Sequence, residues 1–483
     1  LSTHFTAIHY GPEEFGLFTL GVSLASTAAG LTEFGQTQML QKDIANEPAR
    51  EAHLVSSSWG LRLALAVLAF LAFSVLGVGL YGRQNPNTSL TIFACLTALP
   101  LLATSQTLSA HLLNHFRNRR LMELTVAQQI MNFGGVLLVI HLGLPIYWCA
   151  ISASLTTFLQ CVVLYIVVRQ NLKVRPKIVR FEWPEKLRAA APLGLSALLG
   201  SFYLRADVLI IGLLGETSQL GFYGIAISVS SFFLVLPGLL VRVFMPVISK
   251  RGEEGLRASI DMLGYAWMIG ALSVVVIYLG APTAIRIFAG SHFQASVLPL
   301  RILGLSVLSV IVGSCLSAFC VARGFHKRLG AITGMMLVLN VALNVVAIPI
   351  YGISGSAFAT TLCEFTGLFF LVRMIRKNSG FRFRDLQRPL AALFAAAFSL
   401  VICLLFVGGS TQSFVSTGLV EVAAISIFTL AVTLLGGLPI GVVHFIFPGQ
   451  HHSKSGLIAR VLQHSDWTRD AGSAIAAELK GSS

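Results

Sequence analysis

Stretches of about 20 apolar residues, the length that crosses a bilayer as a helix, recur thirteen times along this chain. They fall near 15–38, 57–80, 90–113, 121–141, 145–168, 190–213, 220–247, 259–280, 298–321, 329–349, 353–372, 389–408 and 419–444. The runs are continuous rather than alternating, which predicts helices rather than barrel strands, because lipid requires each segment to pair its own backbone groups. Only 11% of the 483 residues are charged and 55% are hydrophobic, too little polarity to solvate a soluble globule of this size. The expected fold class is therefore an all-α polytopic membrane protein.

A net charge of +14 would suggest nucleic acid in a soluble protein, so the placement of the charges decides their meaning. Of the 34 Lys and Arg, 28 lie in every second connection and in the tail: around Lys42 and Arg50, Arg117 to Arg120, Arg169 to Arg188, Lys250 to Arg257, Arg323 to Arg328, Arg373 to Arg388, and Lys454 to Lys480. The intervening loops carry Arg83 and Arg286. By the positive-inside rule the basic set and the C-terminus are cytoplasmic, in a multi-pass protein of the plasma (inner) membrane. Nucleic acid is not needed to explain the charge. The same topology puts residue 1 outside, and the stub before the first full span predicts that a first helix precedes this chain, for fourteen spans with both termini cytoplasmic.

An internal repeat divides the chain. Pro145 to Arg169 (PIYWCAISASLTTFLQCVVLYIVVR) matches Pro349 to Arg373 (PIYGISGSAFATTLCEFTGLFFLVR) at ten of 25 positions with an offset of 204. Phe15 to Ser26 (FGLFTLGVSLAS) matches Leu220 to Ser231 (LGFYGIAISVSS) at an offset of 205, keeping the Gly, both Ser and an aromatic two residues after the Gly. An offset of six spans returns to the same membrane side, so the halves run parallel, related by an axis along the membrane normal. The expected organisation is an N-lobe at 1–168, a basic cytoplasmic linker at 169–189, a C-lobe at 190–377, two further spans at 378–447 and a cytoplasmic tail at 448–483. This makes two six-helix lobes plus two helices.

Four segments carry a family resemblance: the GPEEFG turn (Gly11 to Gly16) ahead of a span, RADVLIIGLLG from Arg205, LGFYGIA from Leu220 and VLPLRILGLS from Val297. Together they resemble the O-antigen and exopolysaccharide repeat-unit flippases of the multidrug/oligosaccharidyl-lipid/polysaccharide exporter superfamily. The resemblance covers essentially the whole chain. It implies a flippase that moves polyprenyl-pyrophosphate-linked oligosaccharide from the inner to the outer leaflet by alternating access, with membrane lipid and polysaccharide polymerase or other assembly enzymes as partners. A cation-coupled multidrug antiporter of the same superfamily and a lipid II flippase are the alternatives. A membrane polymerase or ligase is disfavoured, because the longest outer connection is only about 17 residues, around Arg286 and His292. No Walker motif is present, so ATP is not the expected direct energy source, and no cofactor is expected.

Charged groups inside the spans are the candidate substrate contacts: Arg205, Asp207, Arg62, Arg242, Arg301 and Glu364. A central Arg or Asp costs roughly 2.5–3.5 kcal/mol on insertion scales, so each needs a partner, water or a shallow depth. Arg62 and Arg242 sit about five residues from cytoplasmic span ends and Arg301 about three from an outer end, where snorkelling competes with a cavity role. Arg205 is about eight residues, or roughly 12 Å, from its nearer end, with Asp207 equally deep. On a continuous helix these two would point about 200° apart and not pair. Glu364 is mid-span, with Gln160 at its repeat-equivalent position, and Asn340 and Asn344 share a helix face. Every in-span cation is Arg, which stays charged when desolvated and grips phosphate oxygens bidentately. The seven cysteines include no CxxC pair, and His111 and His115 have no carboxylate or thiol at ligand spacing, so no metal site is expected.

Overall fold

The computed structural model describes residues 2–82, 86–115, 118–250, 253–378 and 423–428. Among these the regular structure is helical: α1 (Ser2–Glu33), α2 (Gln36–Asn46), α3 (Glu51–Tyr81), α4 (Pro86–Leu96), α5 (Ala98–Asn114), α6 (Asn118–His141), α7 (Tyr147–Asn171), α8 (Trp183–Tyr203), α9 (Ala206–Leu214), α10 (Thr217–Ser231), α11 (Val235–Ile248), α12 (Glu253–Ala289), α13 (Val297–Ala322) and α14 (His326–Asn378). Nine helical stretches among the described residues are long and apolar enough to cross a membrane, and a bent pair at 194–214 makes a tenth. α14 is itself interrupted at Gly352 (φ 58°), where the sequence separates two spans. The spans expected at 389–408 and 419–444 and the tail at 448–483 lie outside the described residues, apart from helical residues 423–428.

The helix breaks have local causes. α1 is interrupted at Gly11 (φ 73°), which precedes Pro12, so the GPEEFG turn is a hinge between a short helical segment and the first long one. α1 and α2 part at Phe34, whose positive φ of 35° leaves the helical region. Neither Pro12 nor a left-handed residue can carry an unbroken ladder of helical hydrogen bonds.

Two compact units are distinguished, the first made of Leu1–Phe233, Ile277–Ser309 and His326–Leu371, the second of Leu234–Val276, Val310–Phe325 and Val372–Ser483. These are drawn differently from the lobes expected from the repeat, since both copies of the Pro-Ile-Tyr segment fall largely in the first unit. The second unit is held by aromatic contacts such as Phe244 on α11 with Tyr265 on α12, ring centres 5.9 Å apart.

Within the first unit, α1 and α10 pack along an extensive interhelical contact. They are the two copies of the shorter repeat, and they meet about a local two-fold relation. A Cβ on Gly16 would collide with the carbonyl oxygen of Thr217, and one on Gly221 with the carbonyl oxygen of Pro12. Gly16 and Gly221 are 205 positions apart, as are Pro12 and Thr217, so the contact is reciprocal in the way of an isologous interface. Nearby, a Cβ on Gly224 would lie 2.6 Å from Thr19 Oγ1, and these residues are again 205 apart. Small residues here let backbones touch, and dispersion and packing rather than the hydrophobic effect hold helices together in lipid.

The basic linker is docked rather than free. Lys177 N donates to Ser56 O (3.0 Å), Val174 is 1% exposed, and Gly60 leaves room for the Lys177 carbonyl against α3. Glu182 completes the attachment, accepting from Ser57 Oγ (2.6 Å) and pairing with Lys186 (3.2 Å). Burial raises the Glu182 pKa, but hydrogen bonds from Ser57 and Lys186 with the charges of Lys186 and His53 outweigh it and hold the carboxyl below its ordinary range.

The glycine contact yields a paired prediction. Gly16→Ala or Gly221→Ala will lower the thermal unfolding temperature, because each forces two backbones apart. Gly79→Ala and Gly134→Ala, where an added Cβ meets nothing within 4 Å, will leave it unchanged or raise it, by up to about 1 kcal/mol of helix propensity. Thermal unfolding of the purified variants in detergent checks both; equal behaviour of the two pairs would refute the close-packed crossing.

Candidate functional site

The span expected at 190–213 is not one helix. α8 ends at Tyr203, α9 begins at Ala206, and the two are bent by 45°. Arg205 stands at the break as the residue preceding α9, with non-helical backbone (φ −129°, ψ −3°). This corrects the expectation that Arg205 and Asp207 point about 200° apart on a continuous helix. Asp207 lies in the first turn of α9, where a carboxylate complements the unsatisfied N–H groups and the positive end of the helix dipole.

Asp207 is 7% exposed and fully engaged: Oδ1 accepts from Val208 N (2.8 Å) and Oδ2 from the Tyr223 hydroxyl (2.8 Å). Tyr223, on α10, is completely buried. On the other side of the break, the Tyr203 hydroxyl donates to Glu364 Oε1 on α14 (2.6 Å). Both deep carboxylates are thus held by a tyrosine. A further polar chain runs along α14, where Ser356 donates to Asn344 Oδ1 (2.6 Å) and Asn344 Nδ2 donates to Asn340 Oδ1 (3.1 Å). The pairing of Asn340 with Asn344 follows from their shared face.

The arginines divide by what their guanidinium groups touch. Arg62 does not snorkel. It is 0% exposed, with Nη2 donating to Thr37 Oγ1 (2.6 Å), Nη1 to Thr107 Oγ1 (3.3 Å), and Nη2 lying 3.9 Å from Glu33 Oε1. It ties α3 to α1, α2 and α5. Arg301 donates from Nε to the Tyr278 carbonyl (3.0 Å) and lies over the Tyr278 ring, 4.9 Å from its centre. Arg242 is exposed on α11, in the second unit. Arg205 is partly exposed, and its guanidinium makes no hydrogen bond or ion pair among the described residues, although its charge acts on Asp207. The structure therefore brings Arg205, Asp207 and Glu364 to the same helix break, and places Arg62 and Arg301 elsewhere in the first unit.

Sequence reasoning missed Tyr203 and Tyr223. For Tyr223 a signal existed: an aromatic is kept at both repeat positions, Phe18 and Tyr223, and the hydroxyl is present only where Asp207 stands nearby. It also missed a carboxylate partner for the histidines. Glu51 supplies one, within 2.6 Å of His111 Nδ1 and 3.0 Å of His115 Nε2.

Tyr223→Phe will strand one oxygen of a buried carboxylate and lower stability by about 1–3 kcal/mol. Tyr203→Phe will have a smaller effect, because Glu364 is only partly buried. Denaturant unfolding of both variants checks this, and a Tyr223→Phe protein as stable as the parent would contradict it.

Residues 5–251, just over half of the chain, match a family described as polysaccharide biosynthesis protein. The chain is 26% identical over 374 residues to the probable low-salt glycan biosynthesis flippase Agl15 of Haloferax volcanii, covering 75% of this chain and 76% of that protein. A second relative in the same organism, the probable flippase AglR, is 26% identical over 184 residues, 36% of this chain and 38% of that protein. Among solved structures, the lipid II flippase MurJ in an inward closed conformation superposes with a TM-score of 0.72 at 14% identity, covering 90% of this chain and 96% of that one. An inward-facing multidrug resistance MATE family transporter follows at 0.63 and 18%, covering 78% and 94%. The resemblance carried by GPEEFG, RADVLIIGLLG and LGFYGIA is met. The chain belongs to the polysaccharide biosynthesis protein family and shares the fold of the multidrug/oligosaccharidyl-lipid/polysaccharide exporter superfamily.

Proposed function

We propose that this chain translocates a polyprenyl-pyrophosphate-linked oligosaccharide from the inner to the outer leaflet by alternating access. The chain is a multi-pass membrane flippase of glycan biosynthesis, not an enzyme. What supports this substrate and route is the broken span. Arg205 presents a guanidinium with no acceptor among the described residues at an interruption deep in an apolar segment, and an unwound segment at mid-membrane is a characteristic place for transporters to hold polar substrate groups. A phosphate-bearing headgroup satisfies such a cation without a change of protonation.

In this reading Arg205 contacts the pyrophosphate, and the Asp207–Tyr223 and Glu364–Tyr203 pairs keep two carboxylates from competing for that guanidinium. Arg62, bonded to Thr37 and Thr107, and Arg301, bonded to the Tyr278 carbonyl, hold helices together rather than substrate. Arg242 is an exposed cation on α11 of the second unit. With the basic loops and the C-terminus cytoplasmic, the Gly16–Gly221 crossing lies toward the outer face. Backbone contact there closes that end of the α1/α10 pair, and outward release requires the two helices to separate. Sugar recognition is spread over weakly polar side chains, and polymerase or other assembly enzymes would act on the delivered product.

A second reading is favoured by the two deep carboxylates. Asp207 and Glu364 are suited to carry a coupling cation, as a multidrug antiporter of this superfamily would require. A lipid II flippase shares the anionic headgroup chemistry.

The distinguishing experiment reconstitutes the full-length chain in vesicles containing polyprenyl-pyrophosphate oligosaccharide and follows the sugar's protection from external glycosidase. Arg205→Ala will reduce the translocation rate about tenfold or more, equivalent to losing a charged hydrogen bond of roughly 1.5–3 kcal/mol. Arg205→Lys will recover part of it. Unchanged translocation in Arg205→Ala would refute the pyrophosphate contact, and ion-driven dye efflux without sugar-lipid movement would establish the antiporter.

A further inference from the structure

Away from the helix break, one cluster of side chains collects metal-ligating atoms. Glu51 opens α3, His111 lies in the last turn of α5, and His115 is the residue that ends it. Four positions apart, the two imidazoles share a face, and Glu51 lies between them. His111 Nδ1 is 2.6 Å from Glu51 Oε1, and His115 Nε2 is 3.0 Å from Oε2. One ligand atom from each residue lies within 4.8 Å of the others.

We propose that Glu51, His111 and His115 bind a divalent first-row transition ion of the zinc class. Two imidazole nitrogens and a carboxylate oxygen suit Zn²⁺, Co²⁺ or Ni²⁺, whereas Mg²⁺ and Ca²⁺ favour all-oxygen sites. Metal–ligand bonds of about 2.0–2.2 Å set tetrahedral donors about 3.4 Å apart, so an ion would open the 2.6 Å and 3.0 Å His–Glu contacts slightly and draw in donors that now lie up to 4.8 Å apart. The burial is graded as such a site requires: the side chains of Glu51 and His111 are 7% and 3% exposed and that of His115 is 49% exposed. Two ligands are therefore fixed in the protein, and the third faces solvent, where an ion enters and a water fills the remaining position.

The surroundings are built to hold the ligands. Leu40 and Ile44 of α2, Val55 of α3 and Leu108 and Leu112 of α5 belong to one apolar cluster at this end of the unit. Asn114 Nδ2 donates to the Gln41 carbonyl (2.9 Å), fixing the end of α5 against α2 between the two histidines. A bound ion would clamp the start of α3 to the end of α5 and neutralise the buried Glu51 carboxylate, which needs a positive partner in such a site. The clamp sits beside the basic connections, on the side opposite the Gly16–Gly221 crossing in the topology above. It makes the stability of that end dependent on metal.

The test uses the full-length chain, purified without a polyhistidine tag and stripped of metal, titrated with Co²⁺ while its visible d–d absorption is followed. The expected result is one equivalent bound with a four-coordinate spectrum, displaced by Zn²⁺, and a rise in unfolding temperature on adding Zn²⁺. His115→Ala and Glu51→Gln will each weaken binding at least about tenfold and abolish the thermal shift. His451→Ala with His452→Ala, which removes the paired histidines of the tail, will leave both unchanged. Binding that is equally tight in His115→Ala, binding lost in the tail variant, or no Co²⁺ uptake at micromolar concentration would each overturn the site and leave a hydrogen-bonded histidine–glutamate–histidine cluster.

Discussion

Backbone contact between α1 and α10 is the constraint on which the first unit depends. In lipid the hydrophobic effect gives helices no reason to associate, so surfaces must fit closely enough for dispersion and weak polar contacts to suffice. Gly16 and Gly221 provide that fit by bringing each helix against the other's carbonyl oxygens. The pair is reciprocal because the chain carries the same helix twice, 205 residues apart. A duplicated sequence thus becomes a local two-fold contact, with Thr19 and Gly224 facing each other where the relation maps a position onto its own copy. The hinge at Gly11 and Pro12 enters this crossing directly, since the Pro12 carbonyl is what Gly221 accommodates.

Around that scaffold Arg62, Arg301, Asp207 and Glu364 each have protein partners. Arg62 joins four helices through two threonines and Glu33, and Arg301 is absorbed by Tyr278. Asp207 and Glu364 each receive a tyrosine hydroxyl. Arg205 differs, standing where α8 gives way to α9 with its guanidinium unmatched by an acceptor among the described residues. An unmatched cation deep in an apolar bundle is costly unless a water-filled path or an anionic group meets it.

Much of the helical framework was legible. Apolar run length identified the spans in the described region, and the separation at Gly352 followed from the gap between runs at 349 and 353. The repeat was legible as identities, yet that its copies touch each other was not, since sequence offset carries no information on spatial contact. The partners of Arg62 were not legible, because Thr37 and Thr107 lie on other helices, 25 and 45 positions away. The break at Arg205 was hidden because apolar residues run on both sides of Arg205 and Asp207 and no capping side chain marks the new helix. Glu51 was invisible to a search for ligand spacing, being sixty positions from His111.

The claim that translocation requires α1 and α10 to part at their outer ends is open to direct trapping. In a background lacking native cysteines, Thr19→Cys with Gly224→Cys places two sulfurs across the crossing; a Cβ on Gly224 would lie 3.2 Å from that of Thr19, close to the roughly 3.5–4.5 Å of a disulfide. The measurement is sugar-lipid translocation by this double variant, oxidised and then reduced. Oxidation should stop translocation and reduction should restore it, with neither single variant sensitive to oxidant. An oxidised, fully cross-linked protein that still moves sugar-lipid would contradict a mechanism in which these helices separate.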